Sequence, residues 1–383
     1  MRLPIGFALS ALLILGPQPI GQRALQPLFV RSSSFGVGTA PADLAAGDFN
    51  GDQKPDVAVA NSGSDNVTIL LGDGRGGLRP APRSPFAAGP RPHIIVVVDF
   101  NRDGKADLAV SEHDSNEVRV FLGDGSGGFR AANGSPFTAL TRTPPHNHGL
   151  SVGDVNADGD PDMVTSNQND NSVSVLLGDG RGGFAAAPGS PFAVGRDPYP
   201  HALGDLNGDG KLDIVTPNVR GNSVSVLLGD GKGGFANAPG SPISVIARPF
   251  YVAVGDLNGD GRADMVITHD DTSRITILLG DGGGGFRPAP GSPLDAQRRG
   301  GRVLLSDVNG DGKCDAVLAA GSSMVVLLGD GRGGFAQAHG SPYAAPSGTW
   351  SIALADLNGD GNVEILGTSF ENNELVIFTR RKP

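Results

Sequence analysis

Cysteine is nearly absent. The 383 residues contain one, Cys314, so no disulfide can form within the chain, and stability has to come from burial and from metal. Aromatic residues are scarce at 5%, with a single Trp. Basic residues are in deficit: 30 Lys and Arg stand against 40 Asp and Glu, a formal charge of −10. That balance excludes a general nucleic-acid binder, which needs a basic face, and favours cations as partners. No stretch carries sustained helical periodicity, so a helical bundle is excluded as well.

Long hydrophobic runs are missing too. The longest apolar stretch, from Ile5 to Leu15, follows Arg2 and is broken by Pro17 and Pro19. Eleven residues are too few for a membrane span and suit the h-region of a signal peptide. We therefore expect residues 1–24 to be a leader, cut between Gly21 and Ala24, and the mature chain, 25–383, to be secreted or periplasmic without a transmembrane span. A retained interfacial anchor is the alternative.

What the chain has in abundance is glycine and proline, 60 and 29 residues, together nearly a quarter of it. With 38% hydrophobic residues this is not a disordered composition. It is the composition of many short strands joined by tight turns.

One pattern recurs seven times, beginning at Asp48, Asp99, Asp154, Asp205, Asp256, Asp307 and Asp356, at intervals of 49 to 55 residues. Each unit has an apolar run, an acidic loop, a second apolar run, a polar turn, a β-branched run ending in Gly-Asp-Gly, and a Pro-rich segment such as APGSPF at 187–192. Four short β-type runs per unit are the content of a propeller blade, and the Gly-Asp-Gly supplies the positive φ of a tight hairpin. A parallel β-helix repeats over much shorter turns and does not fit this period. The last unit stops after ELVIF at 374–378, one run short, while FVRSSSFGVG at 29–38 precedes the first unit without partners. The expected fold is an all-β, seven-bladed β-propeller of four-stranded blades. In it the N-terminal segment, about 28–38, completes the last blade and leaves no open edge.

The acidic loops place oxygen-bearing side chains at positions 1, 3, 5 and 9. They are Asp48, Asn50, Asp52, Asp56; Asp99, Asn101, Asp103, Asp107; Asp154, Asn156, Asp158, Asp162; Asp205, Asn207, Asp209, Asp213; Asp256, Asn258, Asp260, Asp264; Asp307, Asn309, Asp311, Asp315; and Asp356, Asn358, Asp360, Glu364. Calcium takes six to eight oxygens, and alternate positions of a tight loop can turn them inward, with the carbonyl of position 7 adding one more. Up to seven Ca2+ ions are expected. Position 12, where an EF-hand needs Glu, is Val, Thr, Ile, Leu or Gly, so the carboxylate at position 9 has to replace it. Gln53 stands where six loops have Gly, and Glu364 replaces Asp. The first and last sites are therefore expected to be the weakest.

These D-x-N-x-D-G-x-x-D loops between strands, with the L-L-G-D-G-x-G-G-F segments at 176–184, 227–235 and 327–335, resemble the FG-GAP/VCBS repeat family, relatives of the integrin α-subunit propeller. The resemblance spans about 28–383 and implies the fold and bound calcium. Members of the family serve as adhesion, carbohydrate-binding or accessory modules, and a few are lyases or other enzymes.

Six residues before each loop Asp stand Ala42, His93, His148, Tyr199, Phe250, Gly301 and Trp350, five of seven aromatic or imidazole. Arg91, Arg142, Arg196, Arg248 and Arg299 lie just upstream. The second strands end at Asn61, Glu112, Asn167, Asn218, His269 and Ser369 on the same face. This rim is the candidate ligand site. Rings stack on sugars and guanidinium forks pair with carboxylates, so the expected ligand is an extracellular anionic glycan or acidic protein surface. The reading is a binding or adhesion module, monomeric and without a catalytic residue. One alternative is a polysaccharide lyase or hydrolase using His93, His148, Tyr199 or His201 as acid or base. A structural surface-array protein is another.

Overall fold

A computed structural model describes residues 26–139 and 146–381. The leader expected at 1–24 and Arg142 lie outside the described residues. Among these residues no helix is long and apolar enough to cross a membrane.

The blade built around the 256–264 loop shows the plan. Its strands Pro249–Gly255, Asp264–His269, Arg274–Gly280 and Phe286–Pro288 follow one another in an antiparallel meander. The second strand, DMVITH, is buried along its whole length. Sheets face it on both sides, which is why it reads as an unbroken apolar run.

The outer edge is more divided than four runs per unit imply. Residues 286–288 pair only with the far half of the third strand, Leu278 to Gly280. The two-residue strand Leu294–Asp295 pairs with its near half, Arg274 and Ile275. Between them Ile277 has no strand partner on that side, and its N–H donates to the Ser292 hydroxyl at 2.9 Å. The serines of the six Ser-Pro steps all do this. Ser84, Ser135, Ser190, Ser241 and Ser341 accept from Ile69, Val120, Val175, Val226 and Val326 at 2.7–3.0 Å. The Ser-Pro bond is cis in each of the six. The Pro-rich segment is thus the second half of the outer strand, with a serine filling the gap in the ladder.

Closure follows the expected route. Phe29–Gly36 lies antiparallel to Glu374–Arg380, from Phe29 opposite Arg380 to Gly36 opposite Glu374. Phe29 is fully buried and meets Tyr343 edge to face at 6.0 Å. Burying a phenylalanine side chain is worth about 1.5–3 kcal/mol.

The core lies between blades. Ile69 and Leu71 pack with Ile95, Leu108 and Val110 of the next blade. Leu44, Val57 and Leu70 pack with Leu357, Leu366 and Ile377 across the closure. Backbone bonds reinforce these contacts. The hairpin glycine of one blade donates to the carbonyl of loop position 2 in the blade before it: Gly127 to Phe49 at 2.8 Å, Gly182 to Phe100 at 3.2 Å and, across the closure, Gly76 to Leu357 at 3.0 Å.

Candidate ligand-binding rim and acidic loops

The loop at 205–213 represents the seven. Asp205 Oδ1 accepts from the N–H groups of Gly208 (2.7 Å) and Asp209 (3.1 Å), and its Oδ2 from that of Gly210 (2.8 Å). Asn207 Oδ1 accepts from Asp209 N–H, and Asp209 Oδ1 from Lys211 N–H, both at 3.0 Å. This winding requires positive φ at positions 4 and 6. Glycine supplies it in most loops, but Gln53 (φ 62°), Arg102 (60°) and Ala157 (59°) are forced into it. A non-glycine residue there costs roughly 1–2 kcal/mol. Backbone strain therefore reaches the second and third loops as well as the first, where the sequence pointed only to Gln53.

Position 9 has a structural task. Asp213 is fully buried and accepts from Leu206 N–H through Oδ2 and from Gly229 N–H through Oδ1, both at 2.8 Å, tying the loop to the end of the third strand. In the last loop no such glycine exists, and Glu364 Oε1 turns to the Asn358 amide at 2.6 Å instead. Burial, with position 5 and position 1 carboxylates nearby, raises the pKa of the position-9 acids, to about 6 for Asp107 and Asp162. Asp213 Oδ1 and Oδ2 and Asp209 Oδ1 each accept one bond and keep a lone pair, whereas Asp205 Oδ1 accepts two, so the donor set suits a hard cation in kind. It is not drawn together, however. Among the described residues, the three acidic side chains of a loop do not gather within 4.8 Å of one another as three histidines do. The lysine at position 7 reaches the outer oxygen of position 5 in four loops, as in Lys211–Asp209 at 3.1 Å and Lys54–Asp52 at 3.3 Å.

The rim sits at the other end of the inner strands, and a β-bulge builds it. In Pro249–Gly255, Pro249 pairs with His269 and Val252 with Ile267, so Phe250 and Tyr251 oppose Thr268 alone. The same irregularity falls at Ala42, His93, His148 and Trp350. A bulge re-aims a side chain out of the pleat, which explains why one residue per blade reaches the channel mouth. Hydroxyls of the second strand satisfy the freed backbone: Tyr251 N–H donates to Thr268 Oγ1 at 3.2 Å, and Thr216 Oγ1 donates to the Tyr199 carbonyl at 3.0 Å.

The rim rings meet in sequence. His148 stacks on Tyr199 at 4.2 Å, Tyr199 packs on Phe250 at 4.6 Å, and His93 approaches His148 at 5.6 Å. Trp350 stands apart, 50% exposed. Between it and Phe250 lies the sixth blade, where Gly301 takes the place of a ring. The gap is a pocket of about 410 Å3 lined by Phe250, Tyr251, Asp270, Arg299, Gly300, Gly301 and Trp350.

The arginines are mostly engaged inside the protein. Arg91 pairs with Asp114, while Arg248 pairs with Asp270 through Nε at 2.9 Å. Arg299 donates to the Asp270 carbonyl at 2.7 Å and lies 3.7 Å from its carboxylate. Arg196 is exposed, and makes no ion pair among the described residues. The second-strand ends are buried fastenings rather than ligand contacts. Asn218 donates to Ser223 and Ser225, and His269 is held between the Ala247 carbonyl and Thr276 Oγ1. His201 is likewise occupied, between the hydroxyls of Ser151 and Ser166.

Two rim residues escaped the sequence reading, His113 and His146. His113 lies 4.7 Å from His93 and 5.1 Å from His148, and His146 stacks on His148 at 4.4 Å. The His146-Asn147-His148 triplet was the available signal. Desolvation, then the neighbouring imidazoles, lowers the pKa of His93 to about 3 and of His148 to about 2. Both rings are neutral at physiological pH.

Comparison with protein families matches the FG-GAP-like repeat at residues 48–110, 103–165, 154–216, 218–267, 256–318 and 307–367. The chain belongs to the FG-GAP-like repeat family. Among curated relatives of this FG-GAP-like protein is cartilage acidic protein 1, 27% identical in Mus musculus and 28% in Homo sapiens over 190 residues, which is 46% of this chain. The aligned stretch is under a third of either relative, 29% and 28% of their lengths. Among solved structures, BBS1N in complex with ARL6DN superposes with a TM-score of 0.65 at 11% identity, covering 94% of this chain and 98% of that one. An Agrocybe aegerita lectin that recognises non-reducing terminal N-acetylglucosamine gives 0.53 at 20% identity, covering 82% and 79%. At these identities the structural likeness is one of fold.

Proposed function

We propose that this FG-GAP-like protein is an exported, calcium-stabilised binding module whose rim pocket takes an acidic glycan. The observation that carries the reading is the pocket between Phe250 and Trp350. A half-exposed indole forms one wall, a glycine floor leaves room for a ring, and Asp270 with Arg299 offers directional hydrogen bonds. About 410 Å3 is within the range of small-ligand sites. Arg248 and Arg299 converge on one carboxylate, Asp270. Arg299 lines the pocket and lies 3.7 Å from the Asp270 carboxylate, so its guanidinium is placed to pair with an acid group on a sugar. A lectin among proteins of similar fold is consistent with this use of the architecture.

Calcium enters the reading through the opposite face. A cation at each loop would be held by positions 1, 3, 5 and 9 and the position-7 carbonyl, and would relieve the repulsion between the buried position-9 carboxylate and the acids at positions 1 and 5. Chelation should therefore lower the melting temperature, and calcium should restore it.

The test is isothermal titration of uronate-containing and neutral oligosaccharides into the full chain with excess calcium. Uronate oligosaccharides should bind preferentially, and Trp350→Ala should weaken binding at least tenfold while leaving the melting temperature nearly unchanged. Binding indifferent to Trp350→Ala would remove the pocket from the account.

A further inference from the structure

Four of the chain's seven histidines crowd into one corner of the rim, where the second and third blades meet. His93 and His148 come from the bulges of neighbouring inner strands, and His113 from the turn after Asp107–Glu112. Backbone bonds fix the corner: His113 N–H donates to Arg91 O at 3.1 Å, and Asn147 N–H to His113 O at 3.2 Å. One ligand nitrogen from each of His93, His113 and His148 lies within 4.8 Å of the other two.

Simple core packing does not account for the arrangement. The three rings meet edge to face, at 75°, 90° and 76°, as packed rings do, but the packing leaves a polar atom unmet. His93 Nδ1 is buried without a hydrogen-bond partner among the described residues. Leaving such a group unmet costs about 1–3 kcal/mol. His113 Nδ1 is held by Asp114 Oδ1 at 2.6 Å, which orients its other nitrogen. A carboxylate behind an imidazole is the usual support of a metal-ligating histidine. His146 stacks on His148 at 4.4 Å and lies 4.5 Å from His113, closing the corner from outside.

We propose that His93, His113 and His148 form a transition-metal site of the zinc type, distinct from the acidic loops. The donors are three imidazoles without thiolate or clustered carboxylate, a set that suits Zn2+ and disfavours Ca2+. Tetrahedral Zn–N bonds of about 2.0–2.1 Å place nitrogens roughly 3.4 Å apart, so small side-chain rotations close the site. Three protein ligands leave a fourth position open toward the rim, where an oxygen of a ligand or a water can enter.

The test uses zinc chloride alone on the full chain, in excess calcium chloride so that the acidic loops are saturated. Competition with a chromophoric chelator should show one zinc per chain. His113→Ala and His148→Ala should each weaken binding by about 100-fold or more, and Asp114→Asn by roughly tenfold. Circular dichroism and melting temperature establish that the variants are folded. Cobalt(II) provides a measurement on the unmutated protein, because a tetrahedral nitrogen site gives intense visible bands. Absence of zinc uptake, affinity unchanged by His113→Ala, or cobalt spectra of the octahedral aquo type would each overturn the site.

Discussion

Single side chains in the inner wall set the protein's response to acid. His269 is buried between a backbone carbonyl and a threonine hydroxyl, and desolvation lowers its pKa to about 4 against the opposing pull of the carbonyl. His201, between two serines, is also lowered to about 4 by burial. In the unfolded chain each titrates near 6.5. Between pH 6.5 and 4 the unfolded state therefore binds more protons, and stability falls as pH drops through that window. One such group contributes up to about 3 kcal/mol across it. The position-9 acids act in the opposite sense, since Asp107 and Asp162, raised to about 6, hold protons in the folded state that the unfolded chain has released. A difference measurement separates the two effects. His269→Gln should give a melting temperature that declines less steeply than wild type from pH 6.5 to 4; parallel profiles would show that this imidazole does not carry the sensitivity.

At the scale of the element, the divided outer strand depends on one hydroxyl per blade. Ser241→Ala removes the acceptor of Val226 N–H, a bond of 3.0 Å, and leaves that donor buried. The expected loss is about 1–2 kcal/mol, read as a lower urea midpoint with unchanged slope. A midpoint equal to wild type would mean water reaches the gap. Strands and hairpins were legible in the sequence because their determinants are consecutive, as in the Gly-Asp-Gly after VTILL. The bulge that turns Phe250 and Trp350 into the rim was not, because it arises from pairing register and from hydroxyls such as Thr268 on another strand. Nor was the capture of Arg91 by Asp114 or of Arg248 by Asp270, partners 22–23 residues away across a turn. The spacing of six residues before each loop still found the right side chains, because in five inner strands the bulge falls at that same distance from the loop. Where the series of rings is interrupted, at Gly301, the sequence marked a missing ring and the structure places a pocket there.

At the scale of the molecule, the ring is closed by pieces from its two ends. Removing residues 29–36 exposes the Glu374–Arg380 edge and the face left by Phe29. A drop of many degrees in melting temperature is expected, with loss of a single cooperative transition; an unaltered calorimetric trace would contradict closure by this strand.

The inner strands also set a distance. From Ala42 at the rim to Asp48 at the loop there are six residue steps, about 20 Å of extended chain. At physiological salt that is more than two screening lengths, so an ion at the acidic end can neither bridge to a guest at the aromatic end nor attract it electrostatically. If the acidic loops take up a cation, its effect on the rim is expected to pass along the strands as rigidity. The acidic face is then free to lie against a neighbouring surface while the opposite mouth remains open.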